Sequence, residues 1–189
     1  MTDQGMDQAD RRVLYLVCCG SPVAKYVHTM VELAQADGWT VCVMTTPYGR
    51  RFVDVPKLET LTGFPVRSDY KQPDEPDVLP LPSAFVVAPA TVNTVNKWAA
   101  GICDNVALGY LVEGYGLGIP TIVAPYSNRA HTAHPTFQES LQRLRAWGVT
   151  VLWDGDSAAD HAPREGNAEL FPWHLVLAAL RDCFRVSDT

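Results

Sequence analysis

Apolar residues fall along the chain in two alternating patterns, and together they predict a layered α/β fold. Residues 13–18 (VLYLVC), 40–45 (TVCVMT), 84–88 (AFVVA) and 120–124 (PTIVA) are apolar runs of strand length, and a shorter run covers 149–152. Between them, apolar positions recur at helical spacing. Val23, Val27, Met30, Val31 and Ala34 precede a stop at Gly38. Val92, Val95, Trp98, Ala99, Ile102 and Val106 share one face of a single long helix, which also carries Cys103 as a core residue. Phe137, Leu141, Leu144 and Trp147 point inward from a helix opened by Pro135, and a short amphipathic helix follows around 173–184. Strands that are apolar throughout and separated by helices indicate a parallel sheet covered on both faces. The expected fold is a doubly wound, Rossmann-like α/β domain over residues 13–184, with a disordered tail at 1–12 and another tail at 185–189.

Two stretches interrupt the alternation. Residues 69–82 (DYKQPDEPDVLPLP) hold four prolines and four acids, too many prolines for a helix or a central strand. Residues 154–172 are polar and include Gly155, Pro163 and Gly166. Composition narrows the class further. With 47% hydrophobic and 19% charged residues, the 189-residue chain has material for one full core. Its net charge of −6 argues against nucleic acid or an anionic membrane as partner, because either needs a basic face. No apolar run reaches the roughly 18 residues of a membrane span, and Met1–Arg12 is too polar for a secretory signal. The five cysteines (Cys18, Cys19, Cys42, Cys103, Cys183) read as reduced thiols of a cytoplasmic protein.

In doubly wound sheets, ligands bind beyond the carboxyl ends of the strands. Four loops leave those ends: Cys19–Pro22, Thr45–Gly49, Pro89–Thr94 and Pro125–Asn128. All are small and rich in hydroxyl or amide groups. Each suits helix capping; four at one edge also offer the N–H and hydroxyl donors that a phosphate needs. Neither a phosphate-loop lysine motif nor GxGxxG is present, and Gly114, Gly116 and Gly118 mark a helix end and turn.

The segment from Pro89 to Asn105 (PATVNTVNKWAAGICDN) resembles the PASANT signature, and the helix that continues it, of the homo-oligomeric flavin-containing cysteine decarboxylases. The match through NKxAxGICDN is nearest to the branch that modifies peptides. A second family motif, P-x-M-N-x-x-M-W, falls at Pro125 to Thr132, where Pro125 and Asn128 match while Ser127, His131 and Thr132 replace the two Met and the Trp. The resemblance implies FMN as cofactor, bound between subunits of a trimer or an assembly of trimers. By position, Gly20, Ser21 and Thr46 correspond to the phosphate side of its site, and Ala90, Thr91, Asn93 and Thr94 to the PASANT turn. Asn128 corresponds to the asparagine that holds the substrate carboxylate. The family chemistry is loss of a hydride from the cysteine β-carbon to FMN as the thiol gives up its proton; CO2 then leaves from the thioaldehyde, and an enethiolate remains.

Two departures shape the expectation. The family has an active-site histidine fourteen residues before the PASANT proline, and that position here is Glu75. Glu75, its neighbours Asp74 and Asp77, or His131 beside Asn128 are the candidates for the base. The phosphopantothenoylcysteine enzymes of the family also carry a lid cysteine that reduces their product, and no cysteine occurs here between Asp104 and Asp182. A peptide with a C-terminal cysteine is therefore the expected substrate, oxidatively decarboxylated to an aminoenethiol, with residues 154–172 as its clamp. The alternatives are phosphopantothenoylcysteine decarboxylation, a flavin-binding regulatory protein without turnover, and a flavin prenyltransferase with Arg129 as its phosphate-binding base. No metal is expected: His131 and His134 lack completing ligands.

Overall fold

The computed structural model describes residues 12–153 and 160–185. The expected tails, and residues 154–159 of the expected clamp, lie outside the described residues. Five parallel strands form the main sheet: β1 (Val13–Cys18), β2 (Thr40–Thr45), β3 (Ala84–Ala90), β4 (Thr121–Pro125) and β6 (Thr150–Val151), in the order β2-β1-β3-β4-β6. That is the flavodoxin-type doubly wound order, whose topological switch lies between β1 and β3. Every side chain of β1, β3 and β4 is buried, as strands covered on both faces require. Helix α1 (Val27–Ala36) packs on α7 (Trp173–Arg185), which touches β3 and β4; α3 (Val92–Ala99) packs on α4 (Val106–Gly116) and α6 (Pro135–Ala146).

The strands at 13–18 and 40–45 stand where the hydrophobic pattern puts them. The single long helix after β3 does not exist. Gly101 adopts φ +70, its N–H bonds the Trp98 carbonyl (2.9 Å), and the Ile102 N–H bonds the Lys97 carbonyl (2.9 Å). This left-handed glycine closure ends α3, and Asn105 then caps α4 by accepting from the Leu108 N–H (3.2 Å). Ile102, assigned to the inward face, is consequently 44% exposed, and Cys103 is exposed rather than in the core. A further helix, α2 (Val55–Thr62), is capped by Asp54 and carried no hydrophobic stripe long enough to announce it. Residues 69–82 form neither helix nor strand.

Two short elements complete the edge where the strands end. β5 (Ser127–Asn128) leads into the one-turn helix α5 (Arg129–Thr132), and β7 (Asp160–His161) pairs with β5 in parallel, Asn128 opposite His161. The segment expected to act as a clamp is thus stitched to the motif that carries Asn128.

Candidate active site

The loop after β1 is the floor. The Cys19 N–H donates to the Pro89 carbonyl (3.1 Å), which ties it to the end of β3. Ser21 is extended, caps the 3-10 turn Pro22–Tyr26 and is 3% exposed. Gly20 lies against the loop after β2, where a Cβ would stand 3.0 Å from the Tyr48 Cβ. That second loop is held by Thr46, whose N–H donates to the Cys18 carbonyl (3.0 Å) and whose hydroxyl accepts from the Gly49 N–H (3.1 Å).

The PASANT-like segment divides between two elements. Pro89 and Ala90 finish β3, and Thr91 caps α3, its hydroxyl 3.2 Å from that of Thr94. The Ala90 carbonyl accepts from the Tyr126 N–H (3.0 Å), which draws the loop after β4 alongside. There Asn128 caps α5 by accepting from the His131 N–H (3.2 Å), and its Nδ2 and the Ser127 hydroxyl each lie 3.4 Å from His131 Nδ1.

These loops enclose a cavity of about 660 Å³. Of the residues singled out in the sequence, Gly20, Ser21, Thr91, Asn93, Asn128 and His131 line it. Ala90, Thr94 and Thr46 do not: they stand behind the wall, buried, and hold the loops that do. Glu75 is elsewhere, on the exposed proline-rich segment, where its carboxylate accepts from the Gln72 N–H (3.1 Å) and lies 3.7 Å from Arg67. Tyr126, His161, Arg164 and Gly166 also line the cavity. The last three fall within residues 154–172, the stretch expected to act as a clamp, but which of its side chains face the site was not legible, because a polar segment has no periodicity from which to read a facing side.

The cavity walls differ in charge from the molecule. Among the described residues no carboxylate lines them, while Arg164, His131 and His161 do. Arg164 has φ +71, a left-handed conformation that an arginine adopts only under outside constraint. Behind the wall, burial pushes the Cys19 thiol up against the opposing pull of hydrogen bonds from Thr94 and Thr91, so it stays protonated. Burial raises the Tyr126 phenol as well. A second cavity of about 670 Å³ lies under residues 69–82 and against α4, lined by Arg67, Lys71, Asp77 and Tyr110 among others. None of its lining residues lines the first cavity. Among the described residues no group of side chains is suited to hold a metal, and no helix is long and apolar enough to cross a membrane.

A cavity of this size, at the switch point of a doubly wound sheet, is where a nucleotide-like ligand binds in such folds. Its donor set fits an FMN: the Ser21 and Thr91 hydroxyls, the Asn93 amide, the first-turn N–H groups of α3, and walls that among the described residues carry no carboxylate to repel a phosphate. Fold and cavity together define a flavin-binding α/β protein. The family model described as Flavoprotein matches residues 2–184, and the chain belongs to that family of FMN-binding proteins. It is 28% identical over 148 residues to phosphopantothenoylcysteine decarboxylase of Mus musculus, covering 75% of this chain and 72% of that one. Among solved structures, it resembles the FMN-dependent cysteine decarboxylase TvaF from thioviridamide biosynthesis at 28% identity (TM-score 0.69; 90% and 96% of the two chains). It also resembles an EpiD variant complexed with the substrate peptide DSYTC at 25% identity (TM-score 0.61; 76% and 81%).

Proposed function

We propose that this protein is an FMN-dependent decarboxylase acting on the C-terminal cysteine of a peptide and releasing an aminoenethiol. The observation that carries the peptide reading is what the segment after β7 presents to the cavity: His161, Arg164 and Gly166, with no thiol. Enzymes that reduce the enethiol product need a cysteine there. Cys18, Cys19 and Cys42 are buried, and Cys183 sits on α7.

FMN, when bound, supplies the two-electron oxidation of the cysteine β-carbon that makes loss of CO2 feasible. Gly20, Ser21, Thr91 and Asn93 hold it by neutral donors, with Thr46, Ala90 and Thr94 fixing their loops from behind. Asn128 takes the substrate carboxylate with its amide. A neutral amide orients that carboxylate without the ground-state stabilisation of a charge pair, which would have to be surrendered as CO2 leaves. His131 is held beside Asn128 by the shared hydrogen bonds at its Nδ1. Residues 160–172 close over the substrate as a clamp.

The working unit in this reading is a trimer or an assembly of trimers. Its support is a strip of exposed apolar side chains around the second cavity, Tyr70, Val78, Leu117 and above all Leu81, which is 88% exposed. Light scattering of the holoprotein gives its mass directly, and a monomer at all concentrations contradicts the assembly.

Phosphopantothenoylcysteine is the second candidate substrate, favoured by the likeness to the mouse enzyme. One experiment separates the readings. Anaerobic holoprotein is mixed with peptides ending in cysteine, the same peptides ending in serine, and phosphopantothenoylcysteine. Bleaching of the flavin by the cysteine peptides alone, with product lighter by CO2 and two hydrogens, is the expected result. Bleaching by phosphopantothenoylcysteine alone moves the assignment to that substrate, and no bleaching by either leaves a flavin-binding module.

A further inference from the structure

A cysteine oxidised at its β-carbon must also lose its thiol proton, and the position where the family places a histidine for the site is Glu75. That carboxylate is outside the cavity and engaged with Arg67 and the Gln72 N–H. Two histidines do line the cavity. His131 is exposed, and its Nδ1 already faces the Asn128 Nδ2, which can only donate. His161 differs in each respect. It is half-buried, packed at a tilt against Tyr126 with ring centroids 4.9 Å apart, and held in the β5–β7 ladder directly opposite Asn128.

The hydrogen bonding of His161 fixes its tautomer. Nδ1 lies 2.9 Å from the Ala162 carbonyl oxygen, which can only accept, so Nδ1 carries the proton. The lone pair of the neutral ring is therefore on Nε2. A Cβ built on Gly166 would stand 2.7 Å from that Nε2 and 2.5 Å from the Tyr126 hydroxyl, so the two polar atoms converge on one point of the cavity wall. Among the described residues, the charged and titratable groups sharing the cavity with this ring are Tyr126, His131 and Arg164, with no acid among them.

We propose that His161 is the proton acceptor for the substrate thiol. The S–H bond breaks, the proton passes to Nε2, and the electron pair stays on sulfur, leaving a thiolate beside an imidazolium. A carboxylate held at Asn128 places the rest of the cysteine next to the strand that carries His161. The assignment rests on the cysteine-decarboxylase reading and adds to it a residue that neither motif of the family contains.

The test separates proton transfer from turnover. A peptide ending in penicillamine keeps the thiol and carboxylate but has no hydrogen on the β-carbon, so it binds without being oxidised. With FMN-loaded wild type, ultraviolet difference spectroscopy is expected to show a thiolate band on binding. His161→Gln is expected to retain FMN and bind the peptide within a few-fold of wild type, yet lose the band. With the ordinary cysteine peptide, its flavin bleaching should slow by about 10²–10⁴-fold, and added imidazole should restore part of the rate in His161→Ala. A band that persists in His161→Gln overturns the proposal, as does one lost in Glu75→Gln and kept in His161→Gln. Failure of the underlying reading looks different: wild type itself is then not bleached by any cysteine-ended peptide, and this proposal falls with it.

Discussion

Replacing Gly166 with alanine tests whether the segment after β7 is seated on the cavity through close contact. The φ of Gly166 is outside the left-handed region, so alanine is not excluded by backbone conformation, and only space is at issue. The added methyl would stand 2.5 Å from the Tyr126 hydroxyl and 2.7 Å from Cε1 and Nε2 of His161. Neither ring yields easily. Tyr126 is 6% exposed, its ring tilted against His161 and edge-on to Phe171. Overpacking of this kind costs about 1–3 kcal/mol. Against it stands a gain of about 0.4–1 kcal/mol, because alanine has less freedom to lose than glycine when the segment orders. The net cost of about 1–2 kcal/mol shifts the seated-to-lifted equilibrium roughly 5–30-fold. Amide hydrogen exchange should therefore accelerate by that factor across 160–172 and stay unchanged in β1 and β3. Adding Tyr126→Phe removes the nearer of the two obstructions and should recover part of the protection. If exchange in 160–172 is the same in Gly166→Ala as in wild type, the segment is not seated by this contact and the reasoning fails.

Three further predictions follow from buried thiols, a helix cap and the cavity's cation. Burial pushes the thiols of Cys18, Cys19 and Cys42 up, that of Cys42 to about 12. Below the ordinary thiol range of ~8.5 both states keep these protons, but above it only the folded state does, so stability should fall with rising pH by roughly 1.4 kcal/mol per unit for each thiol. Urea midpoints that stay level from pH 8 to about 10 would count against this burial. Asn105→Ala removes the cap of α4 and should lower stability by about 0.5–2 kcal/mol while leaving FMN affinity intact; a loss of flavin would mean that the cap also shapes the site. Arg164→Ala and Arg164→Gly should both weaken binding of the cysteine peptide and flatten its salt dependence. Glycine relieves the left-handed backbone at φ +71, so lid amides should exchange more slowly in Arg164→Gly than in Arg164→Ala.

The sheet was legible because its strands are covered on both faces, and continuous burial leaves a continuous apolar run in the sequence. The same logic misled after β3. Val92, Val95, Trp98 and Ala99 are a true inward face, and Ile102 and Val106 continue its spacing by coincidence across a break. The break was written at Gly101 and Asn105, a helix stop followed four residues later by a helix start, and the regular apolar spacing masked both. Gly38 performs the same closure at the end of α1, at φ +83, and was readable there because a strand follows it directly. Local backbone chemistry outweighed periodicity in this region: a left-handed glycine ends a helix whatever apolar residues lie beyond it.

For the site, legibility followed the loops. Residues just past the strand ends are placed by topology, so Gly20, Ser21, Thr91 and Asn128 arrived in one cavity from the strand order alone. His161 and Arg164 are placed by tertiary contacts that no local pattern encodes: pairing with β5, the ring of Tyr126, and the hydrogen bond from the Tyr26 hydroxyl to Glu169 (2.8 Å). Each of those contacts joins the segment expected to act as a clamp to a loop that already lines or borders the cavity. The departures at Ser127, His131 and Glu75 look in sequence like independent losses from a family pattern. In space, Ser127 and His131 border Asn128, and the chain brings a second histidine to the strand opposite it. A site that had only decayed would have no reason to gather two histidines and an arginine around a cavity that, among the described residues, no acid lines. In the cysteine-decarboxylase reading proposed above, Arg164 is the cation that an anionic substrate end would meet there.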